Sequence, residues 1–185
     1  MIFLTLAFLP FIIDFAAAGS AGIITIPPEN YDVTWQSLLN FLNTSQFVWL
    51  KQRSRPSTGN IECVRWSKTY LNNTDYFYEK WYREGPARKT LRGQHAKLMN
   101  HTNKPAMILN TPKKDGQGQL YIMYYWDYNE HCALFRTPVT GTENHKWTQY
   151  VWNSRVGNSP VCDNAFEKVE YSSYWIYKSD CLSKR

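Results

Sequence analysis

Over most of its length the chain alternates between short runs with aromatic or β-branched residues at every second position and breaks rich in Gly, Pro, Asn and Asp. Period-two alternation of this kind marks strands with one buried face. Eight segments read as strands: Gln46–Arg53, Ile61–Leu71, Tyr76–Glu84, Lys89–Met99, Ala106–Thr111, Gln119–Asp127, Cys132–Thr137 and Lys146–Trp152. The breaks hold Pro56-Ser57-Thr58-Gly59-Asn60, Asn72-Asn73, Gly85-Pro86, Asn103-Lys104-Pro105, Asp115-Gly116-Gln117-Gly118 and Gly141, whose backbone preferences suit turns. Two stretches follow a helical period instead. Trp35, Leu38, Leu39 and Leu42 fall at i, i+3, i+4 and i+7, with Asp32 as the expected cap and Asn43 as the stop. Ser159-Pro160 places an N-cap before a proline at the first helical position, and Cys162, Ala165, Phe166 and Val169 continue that helix. Tyr174–Tyr177 reads as a last short strand before Cys181.

Consecutive antiparallel strands with hairpin-length connections leave two raw edges unless the sheet closes. An eight-stranded barrel has room for one small ligand, whereas a sandwich packs its inner faces solid. Strand number alone leaves both open, and the edge problem favours closure. The expectation is an all-β, eight-stranded antiparallel barrel with a short N-terminal helix and a C-terminal helix. No internal repeat or linker divides it.

Composition adds a compartment. Met1–Ile13 is apolar apart from Thr5 and Pro10, and Ala16-Ala17-Ala18 followed by Gly19-Ser20-Ala21 supplies the small residues of a cleavage site. Residues 1–18 therefore read as a signal peptide and 19–185 as one domain. The apolar run falls short of the roughly 20 residues that span a bilayer, so no membrane partner is expected. The formal charge is 21 − 15 = +6, and loss of Asp14 with the leader makes it 21 − 14 = +7. Sequons at Asn43, Asn72 and Asn100, together with an even count of four cysteines, agree with a secreted, extracellular glycoprotein. None of His95, His101, His131 and His145 sits in HExxH or beside GxSxG, so neither an enzyme nor a metal site is indicated, and no cofactor. Basic character in an exported chain has simpler uses than nucleic-acid binding.

The run Trp126-Asp127-Tyr128-Asn129-Glu130-His131-Cys132-Ala133-Leu134-Phe135 resembles the lipocalin motif at the turn between the sixth and seventh barrel strands. With Trp35-Gln36-Ser37-Leu38 in the leading helix and the helix at Cys162, residues 30–182 are similar to the tick salivary lipocalins of the histamine-binding type, although no Gly-x-Trp stands at the first strand. That resemblance implies disulfides Cys63–Cys181 and Cys132–Cys162. It also implies a monomer that sequesters a small host mediator, by family histamine or serotonin, and so suppresses inflammatory defence.

The family's amine-binding carboxylates are missing, however. Ala133 stands at the first position, and the second aligns to Gln149 or, one residue later, to Tyr150. Glu62, Asp75 and Glu79 are the candidate replacements. Alternation groups Leu120, Ile122, Tyr124, Trp126 and Tyr128 on one face of their strand, and opposes Trp147, Gln149 and Val151 to Thr148, Tyr150 and Trp152. The candidate ligand-binding residues are Trp35, Glu79, Tyr124, Trp126, Gln149 and Tyr150. The positive charge attracts acids at long range, which makes an eicosanoid or another fatty acid the competing ligand class; a filled barrel serving protein interaction is the third reading. The densest basic stretch is Arg83, Arg88, Lys89, Arg92 and Lys97. If Ala133 and Gln149 face the cavity, Ala133→Asp with Gln149→Glu is expected to strengthen amine binding.

Overall fold

In the computed structural model, which describes residues 31–56, 59–109, 118–139 and 144–182, the alternating segments close into a barrel. The predicted leader lies outside the described residues. The order is α1 (Trp35–Leu42), β1 (Val48–Arg53), β2 (Ile61–Leu71), β3 (Asp75–Glu84), β4 (Ala87–His101), β5 (Lys104–Leu109), β6 (Gln119–Asp127), β7 (Cys132–Pro138), β8 (His145–Trp152), α2 (Pro160–Val169) and β9 (Tyr174–Trp175), with a terminal 3₁₀ turn at Ser179–Leu182. Each strand from β2 to β8 pairs antiparallel with the next, and β1 closes the ring between β8 and β2. Where β2 diverges, β9 takes its place along the end of β1. All eight predicted strands are present, and the sandwich alternative falls because the first and second strands pair with each other while the first also pairs with the eighth.

Helix α1 shuts one end. It starts at Trp35, so its cap is Thr34 and not Asp32: the Thr34 hydroxyl accepts from the Ser37 amide at 3.2 Å, while the Ser37 hydroxyl accepts from the Thr34 amide at 3.2 Å. Leu38, Phe41 and Leu42 are fully buried. Burial of this kind contributes roughly 1.5–3 kcal/mol per side chain. The Phe41 ring meets Trp126 at 5.5 Å and Phe135 at 5.6 Å, and its carbonyl accepts from the Trp152 indole at 3.0 Å. Phe41 is thus the plug of the closed end.

Two apolar clusters follow from the pleat. Val48, Leu50, Trp66, Tyr76, Tyr78, Phe135 and Tyr150 fill the barrel, whereas Trp49, Ile122, Leu134, Val151 and Phe166 lie between the outer wall and α2. Ser159 does occupy the N-cap position of α2, but its hydroxyl does not cap. It accepts instead from Lys51 Nζ at 2.8 Å, and the helix's free Cys162 amide is taken by the buried Glu130 carboxylate at 3.0 Å. Disulfides join Cys132 to Cys162 and Cys63 to Cys181, with Cα separations of 6.3 and 5.3 Å. The first fixes α2 to β7, and the second ties the C-terminal turn to β2. The motif turn after β6 is held by Asp127, whose carboxylate accepts from the amides of Asn129 and Glu130 at 2.9 and 2.8 Å.

Candidate ligand-binding site

The end of the barrel opposite α1 contains a cavity of about 160 Å³ lined by Leu50, Arg53, Arg55, Gln119, Tyr121, Thr137, Lys146 and Thr148, with Pro56 at its rim. Its most informative member, Arg53, is there because β1 is irregular. The β1–β8 register slips between Leu50 and Gln52, so one extra residue is accommodated on β1. Val48 and Leu50 point inward, while Lys51 bonds to α2 and Gln52 bonds to Gln149 on the outer wall. The next side chain, Arg53, therefore points back inside. Plain alternation from Leu50 puts Arg53 outside, and for that reason sequence reasoning missed it.

The Arg53 guanidinium lies within electrostatic reach of the Tyr150 and Tyr121 hydroxyls, which hydrogen-bond to each other, and burial pulls its pKa below that of a free guanidinium. Its Nε is buried without a hydrogen-bond partner, as is the Thr137 hydroxyl on the same cavity wall. Lys80 shares the inner face of β3 with Tyr76, Tyr78 and Tyr82; burial, and then the charge of Arg53, lower its pKa. Burial likewise raises the pKa of Tyr78, Tyr121 and Tyr150, which keeps these phenols neutral donors. Among the described residues no carboxylate lines this cavity. Unpartnered buried donors and cationic side chains, with no carboxylate to balance them, disfavour a cation at this position.

The sequence candidates are scattered. Tyr150 is inside, its ring tilted against Trp66 with centroids 4.4 Å apart, and it reaches the cavity through Tyr121 at 6.5 Å. Trp35 and Trp126 pack at the closed end of the interior, remote from the cavity. Gln149 is fully buried but faces outward: its amide donates to Asp163 on α2 at 2.8 Å. Tyr124 does not share a face with Trp126, because the β6–β7 register shifts between Met123 and Tyr125. Tyr124 stays on the outer wall with Ile122, 5.3 Å from the Trp147 ring and under Lys104 and Arg136, and the irregularity turns Trp126 inward. Glu79 sits on the outer face of β3, 3.6 Å from Arg92.

The proposed replacement carboxylates are engaged as well. Glu62 pairs with Arg83 at 2.8 Å, and Asp75 with His95 at 2.7 Å. The same pairs dismantle the basic stretch, since Arg83 also meets Asp180 and Lys89 bonds to Glu84. Of the two amine-signature positions, Ala133 faces the interior and Gln149 does not. The condition attached to the Ala133→Asp, Gln149→Glu pair therefore fails at one position. Two groupings of cysteine with carboxylate, around Cys63 and around Cys132, have their sulfurs committed to the disulfides.

No family model matches the chain, and no curated protein matches it in sequence. Solved structures do. Japanin from the tick Rhipicephalus appendiculatus, bound to cholesterol, superposes with a TM-score of 0.55 at 12% identity over 72% of this chain and 93% of that one. H1 crustacyanin from the lobster Homarus americanus gives 0.53 at 11% identity over 85% and 92%. Lobster apocrustacyanin A1 gives 0.50 at 10% identity over 78% and 83%. At such identities the likeness is one of architecture: the eight-stranded closed antiparallel barrel with its two helices is a lipocalin barrel.

Proposed function

We propose that this chain is a secreted carrier that sequesters a small organic acid with an apolar body, of the fatty-acid or eicosanoid class, at the open end of its barrel. The observation that carries this reading is Arg53, turned inward by the β1 irregularity, with a buried Nε that has no partner. A ligand carboxylate gives that donor its acceptor, and the Tyr121 and Thr137 hydroxyls stand on the same wall to take the second oxygen. Hydrogen bonds to charged groups contribute about 1.5–3 kcal/mol each. Arg55 and Lys146 at the mouth attract the anion before it docks.

Size limits the occupant. Pockets for drug-sized ligands run from about 300 Å³ upward, and this cavity is near half of that. The carboxylate and the first carbons fit inside, and the rest of a long chain extends through the mouth. Deeper entry is blocked by Trp66, Tyr78 and Phe135. The two disulfides and the apolar leader support export, and removal of a host mediator is the role that the resemblance to tick salivary lipocalins suggests.

Isothermal titration with decanoate, a leukotriene, histamine, serotonin and cholesterol tests the reading. The acids are expected to bind at one per barrel, in competition with each other. Saturable histamine or serotonin binding with no uptake of either acid overturns it; cholesterol uptake alone points to a neutral occupant and overturns the role of Arg53.

A further inference from the structure

The outer face of the β2–β3–β4 sheet carries an aromatic row that no other element covers among the described residues. Tyr70 pairs in register with Phe77, and Phe77 with His95. The Tyr70 and Phe77 rings lie 6.1 Å apart, and Phe77 stacks on His95 at 4.6 Å. Tyr70 is 55% exposed and Phe77 38%. Large rings left in water on a sheet face are unfavourable unless something shields them.

The hairpin at the end of this row contains the Asn72-Asn73-Thr74 sequon. Asn72 closes the hairpin by donating its amide to the Asp75 carbonyl at 3.0 Å. Its side-chain oxygen accepts from the amides of Thr74 and Asp75 at 2.7 and 2.6 Å. With the oxygen committed to the turn, Nδ2 is directed away from it and makes no hydrogen bond among the described residues. Nδ2 is the atom an N-glycan occupies. Tyr70 and Asn72 are two residues apart on the same face, about 7 Å along the strand. A pyranose ring on Nδ2 spans that distance. The other sequons lack this arrangement: the residues two before Asn43 and Asn100 are Phe41 and Leu98, both buried.

We propose that Asn72 carries an N-glycan whose first N-acetylglucosamine lies over the Tyr70 ring, so that the aromatic row is a landing surface for the protein's own sugar. The C–H face of a pyranose carries small positive charge and is attracted to the negative face of an aromatic ring. The linkage forms when Nδ2, losing a proton, attacks the anomeric carbon of a lipid-linked oligosaccharide and the lipid pyrophosphate leaves. Stacking then holds the β2–β3 hairpin closed from outside and hides Tyr70 and Phe77 from water.

The test uses the full chain secreted by a eukaryotic host. Peptide mass spectrometry of the Tyr70–Asp75 region is expected to find hexosamine on Asn72. Thermal unfolding is then compared for the parent, Tyr70→Ala, Thr74→Ala and the double variant; Thr74→Ala abolishes the sequon and keeps the two backbone-amide bonds to the Asn72 side chain, and its loss of the Thr74 hydroxyl bonds to Asn72 and Asp75 is common to both Thr74→Ala proteins and cancels in the comparison. Tyr70→Ala is expected to lower Tm by about 2–4 °C more in the glycosylated background than in the Thr74→Ala background. In NMR spectra the C–H protons of the first sugar are expected to move upfield under the Tyr70 ring current and to return in Tyr70→Ala. An unmodified Asn72, or equal Tm losses in both backgrounds together with unshifted sugar protons, overturns the inference.

Discussion

Replacing Arg53 by methionine separates a ligand-binding arginine from a structural one, because the two roles give effects of opposite sign. Methionine keeps most of the stem's volume and removes the guanidinium. Among the described residues Arg53 makes no ion pair, its Nε has no acceptor and burial already disfavours its charge. Removing a poorly solvated, unpaired cation is neutral or stabilising. The urea midpoint of the empty Arg53→Met protein is therefore expected to stay level or rise. Binding behaves differently. A carboxylate in the cavity loses a charge-assisted hydrogen bond and keeps the neutral hydroxyls of Thr137 and Tyr121 beside it, which costs about 2–4 kcal/mol. That corresponds to a decanoate affinity weakened roughly 30- to 700-fold. Arg53→Lys restores the charge without the planar fork and is expected to fall between. Titration calorimetry alongside urea unfolding measures both quantities on the same samples. An Arg53→Met protein that binds decanoate as tightly as the parent, or that unfolds much more readily, refutes the reasoning.

Other outcomes follow from the same geometry. Gln149→Glu brings a second carboxylate to within reach of Asp163 at the α2 interface, so it is expected to cost about 1–3 kcal/mol in urea unfolding. Histamine binding should not improve, by calorimetry, in Gln149→Glu or in the double variant with Ala133→Asp. Lys51→Met strands Asp163 and Ser159 next to the outer wall; with Lys51 at 4% exposure but Asp163 at 28%, the loss is about 2–3 kcal/mol, below that of a fully buried pair. Opening the Cys63–Cys181 bridge, which spans 118 residues, is expected to cost about 5 kcal/mol of chain entropy, against about 4 for the 30-residue Cys132–Cys162 span. Paired alanine substitutions and urea midpoints check that order. Burial holds Tyr76, Tyr78, Tyr125 and Tyr150 above the ordinary phenol range. An unfolded chain releases these protons near pH 10 while the folded one retains them, so this contribution is flat below pH 10 and is lost as pH rises through the folded values. Lys80, whose pKa is lowered, acts in the opposite sense just below that point. Unfolding midpoints at pH 8, 10 and 11 with the disulfides intact read the net slope.

Period and turn chemistry alone determined the elements. Trp35–Leu42 and the helix after Ser159-Pro160 were legible because their apolar residues recur at helical spacing, and the strands because aromatic and β-branched residues alternate. Closure was legible too, since an all-antiparallel run needs its edges covered. Tertiary structure decided which side chains meet. A strand irregularity depends on the register with its neighbour, which local sequence does not encode, and each one exchanges the two faces beyond it. The slip at Lys51–Gln52 brought Arg53 into the barrel, and the one between Met123 and Tyr125 turned Trp126 inward while Tyr124 stayed outside with Ile122. Where no such slip occurs, as in β8, the opposition of Gln149 to Tyr150 followed from alternation, but which face was the inner one depended on where α2 packs. Long-range pairing also settled the charges: Glu62, Asp75 and Glu79 each found a basic partner on another strand, which left the cavity to Arg53 and the tyrosines.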